Sequence, residues 1–177
     1  MKKITVVLLI IVLVLALSVG VFAFQNEPDG FRGLKWGDPP TEDMEFVYGG
    51  DISKNYMRPD DKMSVGKAVL EFIVYAFVDV DGELMFYSAD LLFVNEGSFD
   101  ILKAVCKQRF GPPAFEQSEE LDWVDKVSGK VVSEAGIELS YDFVDDAGLL
   151  RLYHVSLFTV WSDLNEKEKA KSDESDW

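Results

Sequence analysis

The chain has 177 residues, 48% of them hydrophobic, with 32 acidic residues against 17 basic ones and a net charge of −15. A surface this acidic repels phosphate backbones and anionic headgroups, which argues against nucleic-acid binding and against purely electrostatic docking to a membrane. One cysteine leaves no internal disulfide, and one histidine leaves no paired-histidine metal site or catalysis.

Met1, Lys2 and Lys3 open the chain with positive charge, and Ile4 to Phe22 carry none. Val21 and Ala23 are small enough to precede a signal-peptidase cut, so residues 1–23 read as an export signal. The apolar run is also long enough to span a bilayer, which leaves an uncleaved membrane anchor as the alternative. Either way the chain is expected outside the cytoplasm. The remainder is more acidic still and suits one domain with a sizeable core.

Residues 24–30 read as a polar linker, and 31–161 as the folded unit. Asp38 before Pro39 and Pro40 looks like a helix start, so a short helix is expected from there to Tyr48, stopped by Gly49 and Gly50. One strand fits within 51–60, and "DDKMSVGK" makes a polar turn. Val69–Val78 and Glu83–Val94 form a hairpin around Asp81-Gly82, a dipeptide that suits the tight turn matching strand twist. A helix from Ser98 to Phe110 follows, stopped by "GPP", with Phe99, Leu102 and Cys106 on one inward face. This spacing points Cys106 inward and favours a buried, inert thiol over the alternative of a reactive thiol or an intermolecular bridge.

Residues near Gln117 to Lys126 read as a strand holding Trp123. In "IELSYDF", Ile137, Leu139, Tyr141 and Phe143 alternate with Glu138, Ser140 and Asp142, the pattern of a half-buried antiparallel strand. Leu149–Trp161 completes a second hairpin. Residues 162–177 are charged and nearly free of apolar side chains, the composition of a disordered tail. Trp177 at its end is either a docking anchor or part of that tail.

The two hairpins share residues at a gapless offset of 66. Tyr75, Phe77, Val78, Asp79, Gly82, Leu84, Tyr87 and Leu91 recur as Tyr141, Phe143, Val144, Asp145, Gly148, Leu150, Tyr153 and Leu157. The expected fold is therefore α+β, with two tandem helix-plus-three-strand repeats, 31–94 and 95–161, and antiparallel sheets that bury together what neither repeat buries alone.

Catalytic and metal motifs are weak. "DVDG" at 79–82 lacks the EF-hand pattern and its flanking helices, so it reads as a hairpin turn. His154 could be drawn into a triad with Asp90 or Asp142, but no elbow presents an activated serine, so it reads as structural. No phosphate-binding glycine loop, dinucleotide fingerprint or zinc spacing is present, and neither a cofactor nor a metal is implied.

"GLKWGDPPTEDM", "RFGPP" after a helix, and the "Y-x-F-V-D" hairpins together resemble small exported bacterial proteins. Their order is similar to that of the SmpA-type outer-membrane-assembly lipoproteins, and the doubling resembles the two-repeat β-lactamase inhibitor protein. The resemblance implies a protein-binding or scaffolding module of the bacterial envelope or exterior, not a catalyst. The lipid-attachment cysteine of those lipoproteins has no counterpart here.

The candidate surface is an apolar stripe on the first hairpin, made of Leu70, Phe72, Val74 and Ala76. Its counterparts on the second hairpin, Glu138, Ser140 and Asp142, are polar. The stripe must lie under a helix, against the other repeat, or against a partner protein. The competing function is a small-molecule-binding protein or hydrolase with a pocket between the repeats at His154.

Overall fold

The computed structural model describes residues 25–124, 126, 127 and 130–175. The export segment 1–23, the first linker residue Phe24 and Trp177 lie outside the described residues. One short pair comes first, β1 (Gly30–Phe31) with β2 (Leu34–Lys35). A nine-stranded sheet follows. Its strands are β3 (Glu45–Gly49), β4 (Ser53–Met57), β5 (Ser64–Val65), β6 (Ala68–Val80), β7 (Glu83–Val94), β8 (Phe115–Glu116), β9 (Glu120–Trp123), β12 (Ala135–Asp142) and β13 (Ala147–His154). β10 (Lys126–Val127) and β11 (Lys130–Val131) form a separate pair. Across the sheet the order is β3-β4-β6-β7-β13-β12-β9-β8, with β5 on the end of β6, and every pairing is antiparallel.

Helix α1 (Glu96–Phe110) covers one face of the sheet. Asn95 caps it through Ser98 N–H at 2.9 Å, Glu96 lies in the first turn, and Lys107 and Arg109 lie in the last, matching the helix dipole. Phe99, Leu102, Cys106 and Phe110 are buried against Tyr75, Phe77, Phe86, Leu91, Phe93, Leu121, Trp123, Ile137, Leu139 and Leu150, the main core. Cys106 is 2% exposed, and burial pushes its thiol up to about 12. It should therefore stay silent to an exposed-thiol reagent at pH 8 until the chain is unfolded; titration at the rate of the denatured protein would contradict this placement.

The second helix, α2 (Val155–Ser175), lies on the opposite face. Leu157, Phe158, Trp161 and Leu164 pack there on Ala76, Val78 and Tyr87. Their spacing of three and four residues makes one stripe of the helix apolar. Strand β13 runs straight into α2 without a glycine or proline between them. His154 makes this possible: its Nδ1 accepts the N–H of Leu157 at 3.3 Å.

Several expectations are corrected here. The fold is not two helix-plus-three-strand repeats but one predominantly β sheet with a helix on each face. No helix occupies 38–48. Asp38 instead closes a turn by accepting Lys35 N–H, and Phe46, Val47 and Tyr48 favour the edge strand β3. Residues 155–161 are helical rather than the end of a strand, and the charged tail continues that helix through Ser175, where Glu, Lys and Ala are strong helix formers. The linker is tied down: Gln25 N–H donates to Phe110 O, Glu27 accepts from Ala135 N–H, and Trp36 Nε1 donates to Pro28 O.

The gapless repeat does not survive either. Asp81 (φ 56°) and Gly82 (φ 90°) do form the first hairpin turn, but Gly148 lies inside β13 opposite Tyr141, not at a turn. The second turn falls at 143–146, three residues earlier than the offset demands, so Leu157 is helical and Phe143 is 47% exposed at the tip. Tyr75 and Tyr141 do share the α1 face. A two-fold relating halves across an antiparallel β7–β13 pair would run perpendicular to the sheet and place both helices on one side. They lie on opposite sides.

Candidate functional site

Helix α2 covers only part of its face of the sheet, and the strand register shows what lies beside it. One row across five strands reads Val74, Asp90, Arg151, Glu138 and Asp122, each directly opposed to the next. The row beyond it, farther from α2, reads Phe72, Leu92, Leu149, Ser140 and Glu120. Phe72 is 49% exposed and Leu92 38%. The surface thus grades from aromatic and aliphatic side chains on β6, β7 and β13 to carboxylates on β12 and β9.

Of the stripe picked from the sequence, three residues share this face and one does not. Phe72 and Val74 stand in the two rows, and Ala76 is buried beneath α2. Leu70 points the other way, into the main core at 3% exposure, because the β6–β7 register shifts between Leu70 and Phe72. An extra residue in a strand flips everything beyond it to the other face.

Arg151 organises the polar row. Its Nε and Nη2 donate to Asp90 Oδ1 and Oδ2, both at 2.9 Å, in a two-point pair, and its Nη1 lies 3.6 Å from Glu138 Oε2. Ser88 Oγ donates to Asp90 Oδ1 at 2.7 Å. Hydrogen bonding to Asp90 holds the Arg151 guanidinium above its usual value. The Asp90 carboxylate thus fixes two neighbours, Ser88 and Arg151. Beside it, under Trp161 of α2, a cleft of about 300 Å³ is lined by Tyr48, Asn55, Tyr87 and Ser88.

Glu138 is the strained member of the row. Burial raises its carboxyl above the usual 4.5, and Asp122, Glu120 and Asp90 add to the rise against the pull of Arg151. A carboxyl that holds its proton more readily folded than unfolded makes stability fall as pH rises through the window above 4.5. Glu138→Gln should therefore raise stability at pH 7 and flatten its pH dependence in that window, read by denaturant titration at pH 5 and pH 7. A variant less stable than the parent at pH 7 would show that the Arg151 contact outweighs the burial cost.

The other sequence candidates fall apart. His154 faces the α1 side beside Trp36, at 6.5 Å between ring centroids, while Asp90 lies on the opposite face. Asp142 caps its own turn, accepting from Val144 and Asp145 N–H. The cavity at His154, about 340 Å³, is lined by Glu27, Asp29, Lys35, Trp36 and Glu134, with no hydroxyl among its described lining residues. Burial lowers the His154 pKa. Asp79 accepts Gly82 N–H at 2.8 Å, the role of a turn residue, and no metal-holding cluster occurs among the described residues.

Sequence reasoning missed Arg151, Leu92 and Leu149, and weighed Asp90 only as a partner for His154. A signal was present: "SADLLF" and "LLRLY" each hold one charge inside an otherwise apolar strand, and opposite charges so placed tend to meet across a ladder. Comparison with protein-family models, with curated proteins and with solved structures found no match.

Proposed function

We propose that the protein is an exported, non-catalytic binding module of the bacterial envelope or exterior, which holds a partner protein on the part of the sheet that α2 leaves open. One observation carries this reading: exposed Phe72 and Leu92, with partly exposed Leu149, stand in a row beside the partly exposed Asp90–Arg151–Glu138 row. Contiguous exposed apolar side chains rimmed by charge mark interaction sites. The carboxylates of Glu138, Asp122 and Glu120 along one edge suit a partner segment that sets lysine or arginine beside aliphatic or aromatic residues. The apolar N-terminal segment supports the exported part of this reading. Export would give a product beginning at or near Phe24 on N-terminal sequencing.

Phe72→Asp tests the face. Because Phe72 already reaches water, the charge is not buried, and the variant should melt within about 0.5 kcal/mol of the parent. It should lose partner binding at least tenfold, since an apolar anchor is replaced by a charge that would have to shed its water against the partner's aliphatic or aromatic side chains. Val144→Asp, at a tip residue 92% exposed, should leave binding unchanged. A folded Phe72→Asp protein with parental affinity would reject this face as the docking surface.

A further inference from the structure

On the other side of the sheet, independent of that reading, a cavity of about 410 Å³ opens between α1, the β1–β2 hairpin and the sheet. Its floor is Leu91, Leu150 and Leu152, and its walls include Phe31, Val105 and Cys106. At about 30 Å³ per water-sized group it has room for on the order of a dozen non-hydrogen atoms, within the range of small-molecule sites. Two arginines border it, and they are not equivalent. Arg32 is committed, to the Asp61 carboxylate and to Ser64 O. Arg109 is exposed, lies 5.4 Å over its neighbour Phe110, and forms an ion pair with no carboxylate among the described residues. Such a site pairs an apolar chamber with one uncompensated cation at the rim, in a protein whose net charge is otherwise strongly negative.

We infer that this cavity binds one small anionic amphiphile, an aliphatic chain with a carboxylate head, with the chain over Leu91, Leu150 and Leu152 and the head on Arg109. The aliphatic part displaces water from leucine surface, which is favourable in proportion to area. The carboxylate completes a charge-assisted pair that the protein leaves unmade. A neutral chain of equal length gains only the first, and a cationic one is repelled. The rival occupant is the chain's own apolar N-terminal segment, because Gln25 N–H is held at Phe110 O beside the rim.

Calorimetric titration of the purified full chain with decanoate, below its micelle concentration, is the test, with decan-1-ol as the neutral comparison. One decanoate per chain is expected, and decanol should bind on the order of tenfold more weakly. Arg109→Gln, a change at an exposed position, should bring the two ligands to equal affinity, with the melting temperature lowered only slightly by the lost charge at the end of α1. Val105→Trp, which fills the cavity from α1, should abolish both. Equal binding of decanoate and decanol by the parent, or decanoate binding indifferent to Arg109→Gln, would overturn the assignment. Absence of saturable binding would overturn it too, in favour of an occupied or collapsed chamber. Neither result bears on the Phe72 face.

Discussion

Gly148→Val should cost about 3 kcal/mol or more, or prevent folding, although it adds only a small apolar side chain to a strand. A Cβ at Gly148 would sit 2.2 Å from Phe93 Cζ and 2.8 Å from Ser140 O. Phe93 is 1% exposed and stacks on Tyr141, with centroids 6.2 Å apart and planes 7° from parallel, so its ring has no room to retreat. The glycine is therefore required by close approach of a cross-strand ring, not by backbone conformation. Gly50→Ala, where a Cβ meets nothing within 4 Å, should change stability by less than about 0.5 kcal/mol. Denaturant unfolding measures both. Pairing Gly148→Ala with Phe93→Leu should recover more than about 1 kcal/mol relative to additivity, because the shorter side chain vacates the ring's place. Equal, small effects at Gly148 and Gly50 would contradict the packing described.

Trp123→Ala should be comparably severe, at about 3–5 kcal/mol. The side chain is 1% exposed in the main core, and its Nε1 donates to Gly111 O at 2.8 Å. That carbonyl belongs to the buried residue that ends α1, so the tryptophan ties the helix terminus to β9. Trp123→Phe separates the two contributions: it keeps much of the volume but orphans the carbonyl, and should cost about 1–3 kcal/mol. Thermal unfolding monitored by circular dichroism gives the order. A phenylalanine variant as damaged as the alanine one would mean that the hydrogen bond, not the packing, dominates.

The parts of the fold that were legible in the sequence are those set by local rules. The Asp81-Gly82 turn requires two residues at positive φ, and that pair tolerates it. Period 3.6 placed Phe99, Leu102 and Cys106 inward, and period 2 placed Ile137, Leu139 and Tyr141 inward. What escaped was decided by distant contacts. Phe46–Tyr48 pair with β4 rather than coil after Asp38-Pro39, and a capping histidine lets α2 begin with no break in the chain. The matched residues at an offset of 66 are real in the sequence, but a second turn three residues early turns Gly148 from a turn residue into a floor for Phe93. The candidate stripe was half visible for the same reason. Alternation grouped Leu70 with Phe72, and only the bulge between them sends one to the core and the other to solvent. Leu92 and Leu149, which complete the exposed row, belong to strands whose neighbours are set by sheet order, and sheet order cannot be read from spacing alone.

Docking of a partner on the uncovered rows of the sheet, as proposed above, is open to direct test. Its most direct measurement is photo-crosslinking in the producing cell, with a benzophenone side chain at Phe72 in one strain and at Val144 in another. Both positions reach solvent, so neither should disturb folding. The account predicts a discrete cross-linked protein from position 72, diminished by Leu92→Asp in the same chain, and none from position 144. Cross-links from 144 alone, or a product at 72 unaffected by Leu92→Asp, would contradict it.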